Sequence, residues 1–246
     1  MAGELNGKVA IVTGSTRGIG RGIAERFVEA GATVAVNGRD EASTAAAASA
    51  IGATAVPLAF DVADSDAVDA AVARFAADAG RLDIVVNNAG IALDNFITGV
   101  TNERWERTLA VNLSGTFYLT RAAVRVMKEQ DAGGAILNVA SWAGIAGNVG
   151  QAAYAASKGG VWALTLSAAK ELGKFKIRVN ALGPTIETDM TGQMAEKLVE
   201  ATRRRQPIKG GGSIRQAADA ALFLCSDAAM FTTGQLHWVD GGFHLS

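Results

Sequence analysis

The sequence predicts an α/β fold: a doubly wound parallel sheet of about seven strands with helices on both faces. Three observations carry that prediction. Short runs rich in valine and isoleucine alternate with longer alanine-rich segments along the whole chain, the pattern of βαβ units around a buried sheet. A glycine-rich turn, Gly14-Ser15-Thr16-Arg17-Gly18-Ile19-Gly20, follows the first apolar run and opens a helix. Gly14, Arg39, Asp61, Asn88, Ser141 and Pro184 each fall at or soon after a strand end, where open α/β sheets bind their ligands.

Taken in order, Lys8 to Thr13 reads as the first strand, and the helix after the glycine turn runs to about Ala30, where Gly31 ends it. Ala32 to Asn37 is the second strand, Ser43 to Ile51 a helix, Ala55 to Phe60 a strand and Asp64 to Ala79 a helix. Leu82 to Asn87 is the fourth strand, followed by helical segments from Thr101 to Val111 and from Leu113 to Lys128. Ala135 to Ala140 is the fifth strand, Ala152 to Leu172 a long helix and Ile177 to Ala181 the sixth strand. Glu187 to Gly212 is the least regular stretch and contains Gly210-Gly211-Gly212; Ile214 to Cys225 is a last helix and Gln235 to Val239 a last strand. No linker, low-complexity tract or longer repeat interrupts the alternation, so residues 1–246 are expected to form one domain.

Composition narrows the function. With a net charge of -1 and 49% hydrophobic residues, the chain has no basic excess for nucleic acid. No apolar run is long and uninterrupted enough to span a bilayer, and MAGELNGKVA lacks the layout of a signal peptide, so a cytoplasmic protein is expected. The one cysteine, Cys225, sits in the apolar stretch ALFLCSD and reads as a packing residue, not a nucleophile. His237 and His244 are not spaced with carboxylates or cysteines as ligands would be, and no metal site is assigned.

In Tyr154-Ala155-Ala156-Ser157-Lys158 a phenol and an ammonium lie four residues apart, on one helix face. Free tyrosine ionises near pH 10, and bringing it to about 7 takes roughly 4 kcal/mol of differential stabilisation. A lysine one turn away, in a partly dry cleft beside a further positive charge, could supply it.

Gly14, Gly18 and Gly20 suit a tight turn in which backbone approaches a pyrophosphate at a helix N-terminus, as in Rossmann-type folds, although the spacing is GxxxGxG. Proteins preferring NAD usually place an acidic residue at the end of the second strand. Here Asn37-Gly38-Arg39 offers none before Asp40. Arg39 and Arg17 suit a 2′-phosphate, so NADP is expected ahead of NAD unless Asp40 turns inward.

With TGSTRGIG from Thr13, NNAG from Asn87, Asn112, Ser141, YAASK from Tyr154 and VDGG from Val239, the chain resembles the short-chain dehydrogenase/reductase family over nearly its whole length. The resemblance implies Tyr154 as general acid/base, Lys158 as its activator and a ligand of the nicotinamide ribose, and Ser141 as holder of the substrate oxygen. Asn112 would anchor a water linking Lys158 to solvent. Asp61 and Val62 would receive the adenine, and Asn88, Ala89 and Gly90 would line the cofactor ribose. The family usually has PGxxxT after the sixth strand, whereas this chain reads Gly183-Pro184-Thr185-Ile186-Glu187-Thr188. Pro184 would border the cofactor, and Ile186 and Thr188 would face the nicotinamide carboxamide.

The expected pocket walls, Ile91 to Phe96, Trp142 to Gln151 and the stretch from Glu187, combine apolar Trp142, Ile145, Val149 and Met190 with polar Asn148 and Gln151. A small or medium ketone or secondary alcohol fits them. The 3-oxoacyl-carrier-protein reductases are similar around NNAGIALDNF and IETDMT, which makes an acyl-thioester substrate the alternative. Arg203-Arg204-Arg205 is a candidate carrier-binding patch, although Lys128-Glu129-Gln130-Asp131 is not basic overall. A non-catalytic dinucleotide sensor would be favoured by loss of Tyr154 or Lys158, and both are present. The resemblance also implies a homo-oligomer, commonly a tetramer, formed through helices that here carry Phe117, Val124, Val161, Trp162 and Leu166.

Overall fold

The computed structural model describes residues 3–186, 200, 203–209 and 211–245. Among these, β1 (Val9–Val12), β2 (Thr33–Val36), β3 (Ala55–Pro57), β4 (Ile84–Asn87), β5 (Gly134–Val139), β6 (Ile177–Pro184) and β7 (Leu236–Val239) form one sheet in the order β3-β2-β1-β4-β5-β6-β7. Every adjacent pair is parallel. The strand order reverses between β1 and β4, so a crevice opens at their carboxyl ends.

The helices are α1 (Gly18–Glu29), α2 (Glu41–Ile51), α3 (Ser65–Ala79), α4 (Asn102–Leu109), α5 (Gly115–Met127), the short α6 (Ala143–Ala146), α7 (Ala152–Leu172) and α8 (Ile214–Cys225). Alternation along the strands sorts their side chains into two cores. Ala10 and Val12 point to one side, with Phe27 of α1, Ala47 of α2 and Leu222 of α8. Val9 and Ile11 point to the other, with Phe75 of α3, Leu119 of α5 and Leu172 of α7. Cys225 is buried in the first of these layers, and burial pushes its thiol up to about 12, consistent with packing.

Some boundaries differ from expectation. β3 is shorter than the predicted run to Phe60: regular pairing ends at Pro57, although beyond it the Leu58 and Phe60 N–H groups still donate to the Val36 and Gly38 carbonyls at 2.9 and 3.0 Å. β6 runs on to Pro184, beyond the predicted Ala181, because Gly183 pairs with Trp238 of β7 and the indole fills the space that a β-carbon at 183 would need. Between α4 and α5 the chain makes a π-helical turn, Ala110–Ser114, that holds buried Asn112. Val161, expected to contribute apolar surface, is 1% exposed and belongs to the interior. Residues 187–199 and 210 lie outside the described residues, and with them Thr188, Met190 and most of the irregular stretch.

Candidate active site

A cleft of about 630 Å³ lies across the carboxyl ends of the strands, reaching from the glycine turn to Tyr154 and Lys158. Its floor begins at Gly14, whose φ of +60° suits a residue without a β-carbon. Arg17 occupies the N-cap of α1 and makes no side-chain capping bond, so the first N–H groups of that helix have no side-chain cap within the chain. Asn88 fastens the turn from β4, its Nδ2 donating to the carbonyls of Thr13 at 2.8 Å and Gly14 at 3.0 Å. A β-carbon at residue 20 would collide with that amide and lie 2.5 Å from the Gly14 carbonyl oxygen. Thr16, Gly18 and Ile19 line the cleft. Ser15 and Gly20 do not; Ser15 is buried, its hydroxyl donating to the Val12 carbonyl at 2.6 Å and accepting from the Asn37 N–H at 2.9 Å. Both support the loop from behind.

Asn37, at the end of β2, is a framework residue that the sequence did not single out. Its Oδ1 accepts from the Gly14 N–H at 3.1 Å, and its Nδ2 donates to the carbonyls of Gly38, Leu58 and Phe60 at 3.3, 3.1 and 3.2 Å. Beyond it Arg39 lines the cleft and is exposed. Asp40 does not turn inward. It caps α2, Oδ1 accepting from the Ser43 N–H at 2.8 Å, a bond that holds its carboxyl below the usual range. Across the cleft Asp61 accepts from the Ala63 N–H at 3.0 Å and from Arg107 at 2.8 Å. Burial works against its ionisation, but those bonds and the Arg107 and Arg39 charges prevail and hold the carboxyl low. Val62, Ala89, Gly90, Pro184 and Ile186 complete this lining.

At the other end, Ser141 follows β5 and Tyr154 stands in the first turn of α7, both lining the cleft and near enough for the Ser141 hydroxyl to act on the phenol. Lys158, one turn on, is buried and donates to the Val139 carbonyl at 2.6 Å, its Nζ 5.9 Å from the centre of the Tyr154 ring. The expected lowering of the phenol is not seen in the chain by itself. Burial raises the Tyr154 pKa and the Asp94 charge adds to the rise, while the nearby Ser141 hydroxyl opposes both.

Lys158 shows the complementary effect, burial pushing its ammonium down from 10.5 to about 8. Because the folded value is the lower one, the unfolded chain binds more protons between those values, so stability gains as pH rises from about 8 to 10.5. Relative to Lys158→Met, wild-type protein is therefore expected to gain melting temperature across that window in nucleotide-free thermal melts. Parallel curves would refute this.

Asn112 lies behind these groups and does not line the cleft. Its amide accepts from the Ile91 N–H at 2.8 Å and donates to the Ile91 carbonyl at 2.9 Å and to Ser157 Oγ at 3.0 Å. Ser157 in turn donates to the Tyr154 carbonyl at 2.7 Å, so Asn112 ties the loop after β4 to the turn that carries Tyr154. At the mouth, Asn148 donates to Gln151 at 3.0 Å and Gln151 to Asp94 at 2.7 Å. Ile145 is half exposed, whereas Trp142 packs edge-on against Trp238 at 5.6 Å and so serves mainly as packing. His244 Nδ1 lies 2.8 Å from Asp240. Arg204 pairs with Glu200, and Arg205 lies over the Phe243 ring.

Sequence reasoning missed Arg107 and Asp94. Arg107 sits five residues before Asn112, a spacing that a regular α-helix would carry to another face, and Asp94 lay within a loop read only for its apolar residues.

A glycine turn at the switch point and a Tyr-Lys pair at the far end of the same cleft define a dinucleotide-binding oxidoreductase of the doubly wound α/β class. The family model described as enoyl-(acyl carrier protein) reductase matches residues 14–244. The chain is 39% identical to the 3-oxoacyl-[acyl-carrier-protein] reductase FabG of Aquifex aeolicus over 97% of its own length and 98% of the relative's. It is 40% identical to the protein of the same name from Staphylococcus aureus, over 97% and 98%. Among solved structures, a candidate short-chain alcohol dehydrogenase from Sinorhizobium meliloti is similar with a TM-score of 0.93 and 37% identity, over 98% of each chain. A candidate gluconate dehydrogenase from Agrobacterium tumefaciens matches with a TM-score of 0.94 and 32% identity, over 100% of each. The chain belongs to the short-chain dehydrogenase/reductase family, and is an oxidoreductase acting on CH–OH groups with a nicotinamide dinucleotide.

Proposed function

We propose that the chain is a single-domain, NADP(H)-dependent oxidoreductase that interconverts a ketone and a secondary alcohol, with Tyr154 as general acid/base. The observation that carries this reading is Tyr154, beside Ser141 and one turn from Lys158, in the cleft that begins at the glycine turn. The cleft fits a dinucleotide: Gly14 to Ile19 and the α1 N-terminus suit the pyrophosphate, Asp61 and Val62 the adenine, and Asn88 to Gly90 the ribose. Tyr154 and Lys158 would meet the nicotinamide ribose, and Pro184 and Ile186, with Thr188 beyond the described residues, the carboxamide. The bound cofactor supplies or takes the hydride at the substrate carbon. Tyr154 gives its proton to the substrate oxygen during reduction and takes it back during oxidation, while Ser141 donates to that oxygen and stabilises its developing charge. A phenol raised by burial keeps its proton at neutral pH, which suits reduction. Asn112 serves as a positioning residue on the route from Lys158 to solvent.

The phosphorylated cofactor is favoured because Asp40 is engaged in capping and Arg17 and Arg39 are exposed at the cleft. The acyl-thioester reading is favoured by the names of the relatives, whereas the Arg203-Arg204-Arg205 triplet gives it little support, since Arg204 and Arg205 have partners within the chain. We propose a cytoplasmic location, which the single, buried free cysteine suits; among the described residues no helix is long and apolar enough to cross a membrane. Phe117 and Leu166, exposed at 43% and 37%, support association as a homotetramer. Initial rates with NADPH and NADH against ketones, sugars and acetoacetyl thioesters test the reading. NADPH is expected to be preferred by at least about tenfold in kcat/KM, and the best substrate decides between ketone and thioester. A preference for NADH would overturn the roles of Arg17 and Arg39.

A further inference from the structure

Among the described residues that line the cleft, one carboxylate, Asp61, shares the wall with three arginines. Arg17 comes from the glycine turn, Arg39 from the end of β2 and Arg107 from the last turn of α4. Arg107 Nη2 donates to Asp61 Oδ2 at 2.8 Å, with the two side chains 38% and 34% exposed. The other carboxylate oxygen accepts from the Ala63 N–H at 3.0 Å, so Asp61 is held from both sides. Arg39 is near enough for its charge to act on Asp61 as well. Without Arg107, Asp61 would repel a phosphate dianion at this end of the cleft and would compete with that phosphate for Arg39.

We propose that Arg107 is a specificity-determining positioning residue: by pairing with Asp61 it leaves Arg39 and Arg17 to an adenine nucleotide that carries a 2′-phosphate. This rests on the NADP reading above, but it makes a separate claim. Arg107 acts through Asp61, not by touching the phosphate, so its effect depends on the carboxylate.

Isothermal titration of wild-type protein, Arg107→Gln, Asp61→Asn and the double variant with adenosine 2′,5′-bisphosphate and with 5′-AMP tests this. The quantity read is the ratio of the two dissociation constants. Arg107→Gln is expected to reduce the preference for the 2′-phosphorylated nucleotide by about tenfold. In the Asp61→Asn background the same change is expected to alter it by about twofold or less, the signature of coupled residues. Arg107→Lys, which keeps the charge, should restore much of the preference, and thermal melts identify any variant that fails to fold. Equal weakening of both nucleotides by Arg107→Gln would overturn the proposal in favour of a general adenine-holding role. A tenfold loss that persists in the Asp61→Asn background would overturn it in favour of direct phosphate contact. A wild-type ratio near one overturns the NADP reading itself, while the change of ratio on substitution still decides the role of Arg107.

Discussion

Replacing Tyr154 by phenylalanine is expected to lower kcat by about 10²- to 10⁴-fold, the usual contribution of a positioned general acid. Nucleotide affinity should stay within about twofold, because the ring and its packing remain and only the hydroxyl is lost. Single-turnover rates and equilibrium titration with the same nucleotide separate the two effects. The phenol is raised by burial and by the charge of Asp94, so the wild-type reductive rate should hold through neutral pH and decline only in alkali. Phenylalanine at 154 with undiminished turnover would remove the proton-transfer role, leaving the cleft as a binding site alone.

The second large effect is on the fold. Asn37→Asp is expected to destabilise the protein by about 3–5 kcal/mol, the cost of an uncompensated buried charge. The native amide donates to the carbonyls of Gly38, Leu58 and Phe60. A carboxylate there would give those oxygens no donor and would add a negative charge beside them. Chemical denaturation at neutral pH measures the loss, which should shrink as the pH falls and the new carboxyl takes up a proton. An acidic residue at the end of β2 is the usual means of holding a ribose, and at this position the surrounding carbonyls oppose it. A variant as stable as wild type would show that the three bonds contribute nothing.

Much of the fold was legible because strands and helices impose different periods and because glycine punctuates them. Ala152–Leu172 and Ile214–Cys225 appear with the boundaries their apolar and alanine-rich runs suggest. The placement of Gly14, Asn88 and Ser141 around one cleft followed from the rule that strand ends carry the site, whereas Tyr154, on α7, was expected there from its motif and the family resemblance. What stayed hidden depends on contacts between distant segments. Gly183-Pro184 reads as a turn in isolation, yet it continues β6 because Trp238 covers it. Spacing showed that the glycine turn faces a ligand but not which way each side chain points, so Ser15 could not be told from Thr16. Arg107 lies in Asn102–Leu109, a helix so polar that it reads as a solvated face. Nothing local marks Asp61 as its partner, since 46 residues separate them.

The π-helical turn at Ala110–Ser114 also constrains how this chain can change over generations. Deleting one residue from that turn would let α4 and α5 join as one regular helix, with α4 rotated by about 100° relative to α5. Asn112 and Arg107 would then lose their bearings together, the first on Ile91 and Ser157, the second on Asp61. Lineages that shorten this turn would have to rebuild both ends of the cleft at once, whereas substitutions elsewhere on α4 can accumulate singly.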